Sequence, residues 1–245
     1  MPDTALRQAY LAYLKVLRRY HRYTVEGLET LLEPGGKIVV GYHGRGFPMD
    51  LALLCLEIHE RHGYLPHAIV HSGLHRIPGV RTCFEAAGTL PGDSPRIAAA
   101  LARGEHVFIA PGGTQEACRR HDVQYKVDWR GRTGYLKMAR RYGVPLVPVA
   151  SSGVDGRFIG LNDGHAWGKR LHMPLKIPAW IAVGLGGFFP VAPPLPVAIH
   201  TVVGDPIAVT TLDGPHGIEP QHRAMTERVQ SLLDLALARA AHDRR

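Results

Sequence analysis

His43 and Asp50 are the residues whose types and spacing point first to acid–base chemistry. Both lie in GYHGRGFPMD, Gly41 to Asp50, where an apolar run gives way to a helical pattern. An unperturbed histidine, with a pKa of about 6.5, can take a proton near neutrality. A carboxylate beside it can fix its tautomer and stabilise the imidazolium that forms. Asp50 could serve His43 in that way, or could be only the first-turn acid of the helix that follows. Gly44 and Gly46 would let a substrate approach the backbone closely. The chemistry implied is general-base activation of a hydroxyl group or of water.

A second polar phrase, Pro111-Gly112-Gly113-Thr114-Gln115-Glu116, follows another apolar run. Glu116 is either a site residue or a first-turn helix acid. Lys126, Arg130 and Arg132 form a turn-rich basic patch that could hold phosphates or be a solvated loop. His67, His71 and His75 recur every four residues, but in strand and turn rather than helix, so no metal site is expected. Ser151-Ser152-Gly153 lacks the first glycine of a nucleophile elbow, which argues against a serine hydrolase. No phosphate-binding P-loop or dinucleotide fingerprint occurs.

The elements that must position these residues alternate in type. Lys37–Tyr42, His67–His71, His106–Ala110 and Leu146–Ala150 read as strands, and Ala198–Val203 could add another. Asp50–His62, Pro78–Ala87, Pro95–Arg103 and Thr133–Tyr142 read as helices. Such alternation implies an α/β fold, a mainly parallel sheet covered by helices. His43 and the Pro-Gly-Gly phrase would then sit at carboxyl ends of strands, where loops are exposed yet held by the sheet. Residues 4–32 read as one amphipathic helix, with Leu11, Leu14, Val16, Leu17 and Tyr20 opposite Lys15, Arg18, Arg19 and Arg22. It would lie on an anionic membrane or pack on the domain with its basic side solvated. Residues 218–241 form a closing amphipathic helix. One domain is expected, with the N-terminal helix in 1–32, the core in 33–206 and the closing helix in 207–245.

Composition narrows the partners. The 245 residues can bury one sizeable core, and 45% hydrophobic residues give an ordinary globular balance. A formal charge of +8 favours anionic partners. The basic residues are scattered and aromatics are only 7%, so nucleic acid is not expected. Three cysteines without paired spacing suggest free thiols in a reducing compartment. MPDTALRQAY has no apolar signal core, so an intracellular chain is expected. Ile177–Ile199 runs 23 residues without a charge, but its prolines and glycines would break a spanning helix. It reads as a buried or interfacial segment.

Four phrases in order resemble the glycerolipid acyltransferase superfamily, the lysophospholipid and diacylglycerol acyltransferases. They are VEGLETLLEPGGKIVVGYHG, HRIPGVRTCFEAAGTLPGD, HVFIAPGGTQEACR and VPLVPVASSG, and they span most of the chain from Val25 to Gly153, with the likeness reaching Pro206. The resemblance implies a glycerol-phosphate-acyltransferase-like fold, peripheral to the inner face of a membrane. It implies His43 as general base and Asp50 as its orienting acid. Gly44, Arg45, Pro111, Gly112, Gly113, Thr114 and Glu116 would touch the substrates. The donor would be acyl-CoA or an acyl carrier protein, with no cofactor.

Two departures from the family's pattern matter. Six residues, GRGFPM, separate His43 from Asp50, more than is common there, so their pairing requires a bulged loop. Gln115 and Ser94 stand where the family commonly has arginines suited to an acceptor phosphate. The expected acceptor is therefore a neutral lipid hydroxyl such as mono- or diacylglycerol. The alternatives are a lysophospholipid acceptor, whose phosphate Arg45, Arg76, Arg81 and Arg119 could still hold from other positions, a thioester or lipid hydrolase, and a lipid-binding protein without catalysis.

Overall fold

The structure is a computed structural model and describes residues 4–70, 79–173, 178–208 and 217–242. His71, His75 and Arg76, with the start of the second motif phrase, lie outside the described residues.

Seven strands form the main sheet: β1 (Thr24–Glu26), β2 (Ile38–Gly41), β3 (His67–Val70), β4 (Thr89–Pro91), β5 (Val107–Ile109), β6 (Leu146–Ser152) and β10 (His200–Val203). Their order is β1-β10-β6-β2-β5-β3-β4. Every neighbouring pair is parallel except β10 with β6. β2 and β6 are buried along their whole length, which is why both read as continuous apolar runs rather than alternating ones. The expected mainly parallel α/β sheet is therefore present.

Helices α3 (Met49–His62), α4 (Val80–Ala86), α5 (Arg96–Ala102), α6 (Thr114–Ala117) and α7 (Gly134–Tyr142) connect the strands, and α9 (Ile218–His242) closes the chain. α9 lays Met225, Val229, Leu232, Leu233 and Ala236 into the core against β6 and β10. α3 ends at Gly63, whose φ of 76° suits the left-handed cap.

The N-terminal region departs from a single helix over residues 4–32. Helix α1 (Thr4–Tyr20) stops, β1 joins the edge of the sheet beside β10, and a short α2 (Glu29–Leu32) follows. β-branched Thr24 and Val25 take the strand, and Gly27 at φ 76° turns the chain where a Cβ would lie 2.5 Å from the Val203 carbonyl oxygen. α1 packs on α3 through buried Leu11, Leu14 and Leu17, while Val16 faces outward. Its basic side is partly neutralised: Arg18 bonds Glu57 at 3.0 Å and Glu60 at 2.6 Å, and Lys15 lies 3.6 Å from Glu60. The helix-on-domain alternative thus describes α1.

The uncharged segment ending at Ile199 forms part of a second, three-stranded antiparallel sheet of β7 (Ile159–Gly160), β8 (Ala182–Gly184) and β9 (Gly187–Phe188). Helix α8 (Gly164–Arg170) lies between β7 and β8 in the chain, capped at its start by the Asp163 carboxylate. Among the described residues, no helix is long and apolar enough to cross a membrane.

Candidate active site

The central strand β2 delivers Tyr42 and His43 from its carboxyl end. Its neighbours β5 and β6 deliver Pro111–Glu116 and Gly153–Arg157 at the same edge. These three segments build the site.

His43 is partly exposed and held from two sides. Its backbone N–H donates to Glu116 Oε2 at 2.9 Å, and its ring Nδ1 lies 2.8 Å from the Gly44 carbonyl oxygen. A carbonyl only accepts, so Nδ1 carries the proton and the lone pair of the neutral ring is on Nε2. Burial lowers the His43 pKa to about 4, opposed by the Gly44 bond and assisted by the Arg157 and Arg119 charges. The ring is therefore neutral, a competent base, throughout the neutral range.

Glu116 is fully buried and clamps the loop. Besides the His43 amide it accepts the Asp128 amide on Oε1 at 2.7 Å, and Arg119 Nη2 lies 3.8 Å away. Burial pushes its pKa up to about 7 against those two donors and the Arg119 charge. Gly112 makes room for it, since a Cβ there would lie 2.0 Å from the Glu116 carboxyl carbon. Gly113, at φ 49°, starts α6.

Asp50 sits in the first turn of α3, fully buried, and neither carboxylate oxygen has a hydrogen-bond partner among the described residues. Burial raises its pKa, while the nearby Ser151 hydroxyl and the Arg157 charge hold it down. Ser151 Oγ is itself bonded to Thr201 at 2.8 Å. The structure brings His43 together with Glu116 and the Gly44 carbonyl; Asp50 makes no hydrogen bond to His43.

Arg45, Arg119 and Arg157 are buried against the loop and point inward, while Arg132, Arg130 and Arg81 are exposed. Arg45 is 2% exposed and donates to the carbonyls of Asp155, Phe158, Arg120 and Val123. Arg157 donates to the carbonyls of Val154, Arg45 and Phe47, and burial lowers its pKa to about 10. Arg119 donates to the carbonyls of Glu116 and Lys126 and lies over the Tyr42 ring, 5.1 Å from its centroid. Arg132 donates to the Pro111 and Gly112 carbonyls, and Arg130 pairs with Asp128. Arg81 pairs with Glu85 on α4. Thr114 lies at the exposed lip, 3.1 Å from His165 Nε2.

Asp155 is the residue whose role sequence reasoning missed most plainly. Its buried carboxylate accepts from Tyr42 Oη at 2.6 Å, the Tyr125 amide at 2.7 Å and the Arg45 amide at 3.2 Å. It thereby ties β2, the His43 loop and the turn after β6 together. Two opposite charges in VDGR, directly after the buried strand VPVASSG, were the available signal. Among the described residues no cluster of histidine, cysteine and carboxylate side chains could hold a metal ion.

A neutral histidine thus stands at the end of the central parallel strand, faced by a Pro-Gly-Gly turn and a buried glutamate. The fold is that of the crystal structure of the 1-acyl-sn-glycerophosphate (LPA) acyltransferase PlsC from Thermotoga maritima, with a TM-score of 0.54 at 18% identity over 97% of this chain and 84% of that one. A diacylglycerol acyltransferase family model matches residues 31–241, and the chain belongs to that family. It is 26% identical to the bovine "DGAT1/2-independent enzyme synthesizing storage lipids" over 88% of this chain and 60% of that protein. It is 27% identical to human "Diacylglycerol O-acyltransferase 2" over 80% of this chain and 55% of that protein. The chain thus matches a little over half the length of these relatives.

Proposed function

We propose that this protein transfers a fatty acyl group from acyl-CoA, or from an acyl carrier protein, to a neutral lipid hydroxyl such as that of mono- or diacylglycerol at a membrane surface. His43 Nε2 takes the acceptor's hydroxyl proton as the acceptor oxygen bonds to the thioester carbonyl carbon. The tetrahedral oxyanion then collapses, the C–S bond breaks, and the leaving thiolate takes the proton back from His43. The Gly44 carbonyl fixes the tautomer, and Glu116 holds the backbone that carries the ring. Asp50, with Arg157, shapes the electrostatics behind it.

Oxyanion stabilisation requires free donors. The Gly46 and Gly113 amides donate to the Ala117 and Ala110 carbonyls, at 3.0 and 3.1 Å. The Gly44 and Gly112 amides donate to no described residue and flank the Glu116 clamp, so we assign the oxyanion to them.

The observation that carries the neutral acceptor is the set of inward-turned arginines. Arg45, Arg119 and Arg157 are buried and donate to backbone carbonyls, exposed Arg132 gives Nη1 to the Pro111 and Gly112 carbonyls, and the motif positions suited to phosphate hold Gln115 and Ser94. A phosphate ligand would need a guanidinium free to make a bidentate pair. With labelled long-chain acyl-CoA and detergent-dispersed acceptors, label should pass to mono- or diacylglycerol at least tenfold faster than to lysophosphatidate. Faster transfer to lysophosphatidate would overturn the acceptor assignment, and release only as free fatty acid would make the enzyme a hydrolase.

A further inference from the structure

The small sheet has its large residues on the wrong side for a water-facing surface. Along β8 and its flanks, Ile181 is exposed, Ala182 buried, Val183 half-buried, Gly184 buried and Leu185 exposed. The register puts Ile159 opposite Val183 and Val183 opposite Phe188, so these three share one face. Leu161, bonded by its amide to the Ile181 carbonyl at 2.8 Å, extends the same row. The outer face is therefore isoleucine, leucine, valine and phenylalanine, with Phe188 60% and Leu185 51% exposed.

The inner face explains the small residues but not the large ones. Phe158, Trp180 and Phe189 stack there with centroids 5.2 to 6.3 Å apart. A Cβ on Gly184 would lie 2.9 Å from Phe158, and one on Gly160 would lie 3.0 Å from Trp180. Sheets with one wet face normally alternate apolar-in and polar-out. Here both faces are apolar, and contiguous exposed apolar surface marks an interaction site.

The occupant is indicated by charge and by position. Between Phe158 and Ile199 the sequence has one carboxylate, Asp163, against Lys169, Arg170 and Lys176. Lys169 and Arg170 are exposed on α8, next to Trp167 and Leu171, which share an exposed side four residues apart. Apolar and aromatic side chains beside basic ones are what an anionic bilayer surface takes up. The sheet also adjoins the catalytic loop: a Gly46 Cβ would lie 3.2 Å from Phe158, and Phe47 is itself exposed.

We infer that the outer face of β7–β9, with Trp167, Leu171, Lys169 and Arg170 of the α8 segment, is the surface on which this protein docks to an anionic phospholipid bilayer, placing the His43 loop at the lipid interface. This deepens the acyl-transfer reading and rests on it for the location of the acceptor.

Sedimentation with phosphatidylcholine vesicles, with and without phosphatidylglycerol, tests the docking without turnover. The double variant Ile181→Ser/Phe188→Ser should bind roughly a hundredfold more weakly, about tenfold per side chain. Lys169→Glu/Arg170→Glu should weaken binding to the anionic vesicles only, and Val16→Ser on α1 should bind like wild type. In the unaltered protein, brominated lipid should quench fluorescence that Trp167→Phe removes, a readout that needs no folded serine variant. The serine variant should still acylate a water-soluble short-chain diacylglycerol. Unchanged vesicle binding with no Trp167 quenching would overturn the inference. So would a wild-type dimer that the serine substitutions dissociate, or an equal loss on the soluble acceptor. Face-dependent binding by a protein that transfers no acyl group would instead remove the acyl-transfer reading alone.

Discussion

The clearest consequence at the scale of single residues concerns protons. Histidine is useful as a base only while neutral, and burial beside Arg157 and Arg119 lowers the His43 pKa to about 4. The sign is fixed: lowering the pKa extends the neutral, active form toward acid. We therefore expect the His43 ring, followed by its own NMR resonances, to stay neutral from pH 8 down to about 5.5 and to protonate only as pH approaches 4, while a change in kcat/KM near 7 belongs to the Glu116 carboxyl. A ring titration near 6.5, the ordinary histidine value, would mean that the ring is solvated. The strand-end positions of His43 and Glu116 were legible from the sequence, and the fold brings the two together. The orienting group was not, since a backbone carbonyl such as that of Gly44 leaves no trace in side-chain identity. Nor was the inward direction of Arg45: the sequence shows a cation beside the base, whereas the fold surrounds it with four carbonyl oxygens.

Among the elements, two turns depend on each other. The turn after β5 brings Glu116 under the His43 amide, and Gly112 leaves the space that the carboxylate fills. Gly112→Ala would force Glu116 off the His43 and Asp128 amides, leaving two part-buried donors without that partner at about 1 kcal/mol each. We expect acyl transfer to fall at least tenfold, with a lower urea midpoint. An unchanged rate would show that the clamp does not position His43. Most strands and helices were readable because buried parallel strands are continuous apolar runs closed by glycine turns. Residues 21–28 were misread as helix because β1 is only three residues long, and its edge pairing with β10 is set by a partner about 175 residues away. The small sheet was unreadable for a related reason. Its inner positions are glycine and alanine, so the usual alternation of large-in and polar-out is absent.

For the whole molecule, the parallel sheet brings β2, β5 and β6 to one edge, and the loops there enclose a neutral base among inward-turned cations. The four motif phrases were legible because each is a strand end and its turn. Their meeting point was implied by α/β alternation alone. The Asp155 knot that locks the phrases together was not, because a buried carboxylate gains its three partners only through tertiary packing. In the proposed mechanism His43 is the base, and Gly44 and Glu116, rather than Asp50, hold it. The most direct measurement is transfer of label from long-chain acyl-CoA to diacylglycerol by wild type, His43→Ala and Asp50→Asn. We expect a loss of about 10²–10⁴-fold for His43→Ala and of about tenfold or less for Asp50→Asn. A folded Asp50→Asn protein as inactive as His43→Ala, or a His43→Ala protein as active as wild type, would contradict it.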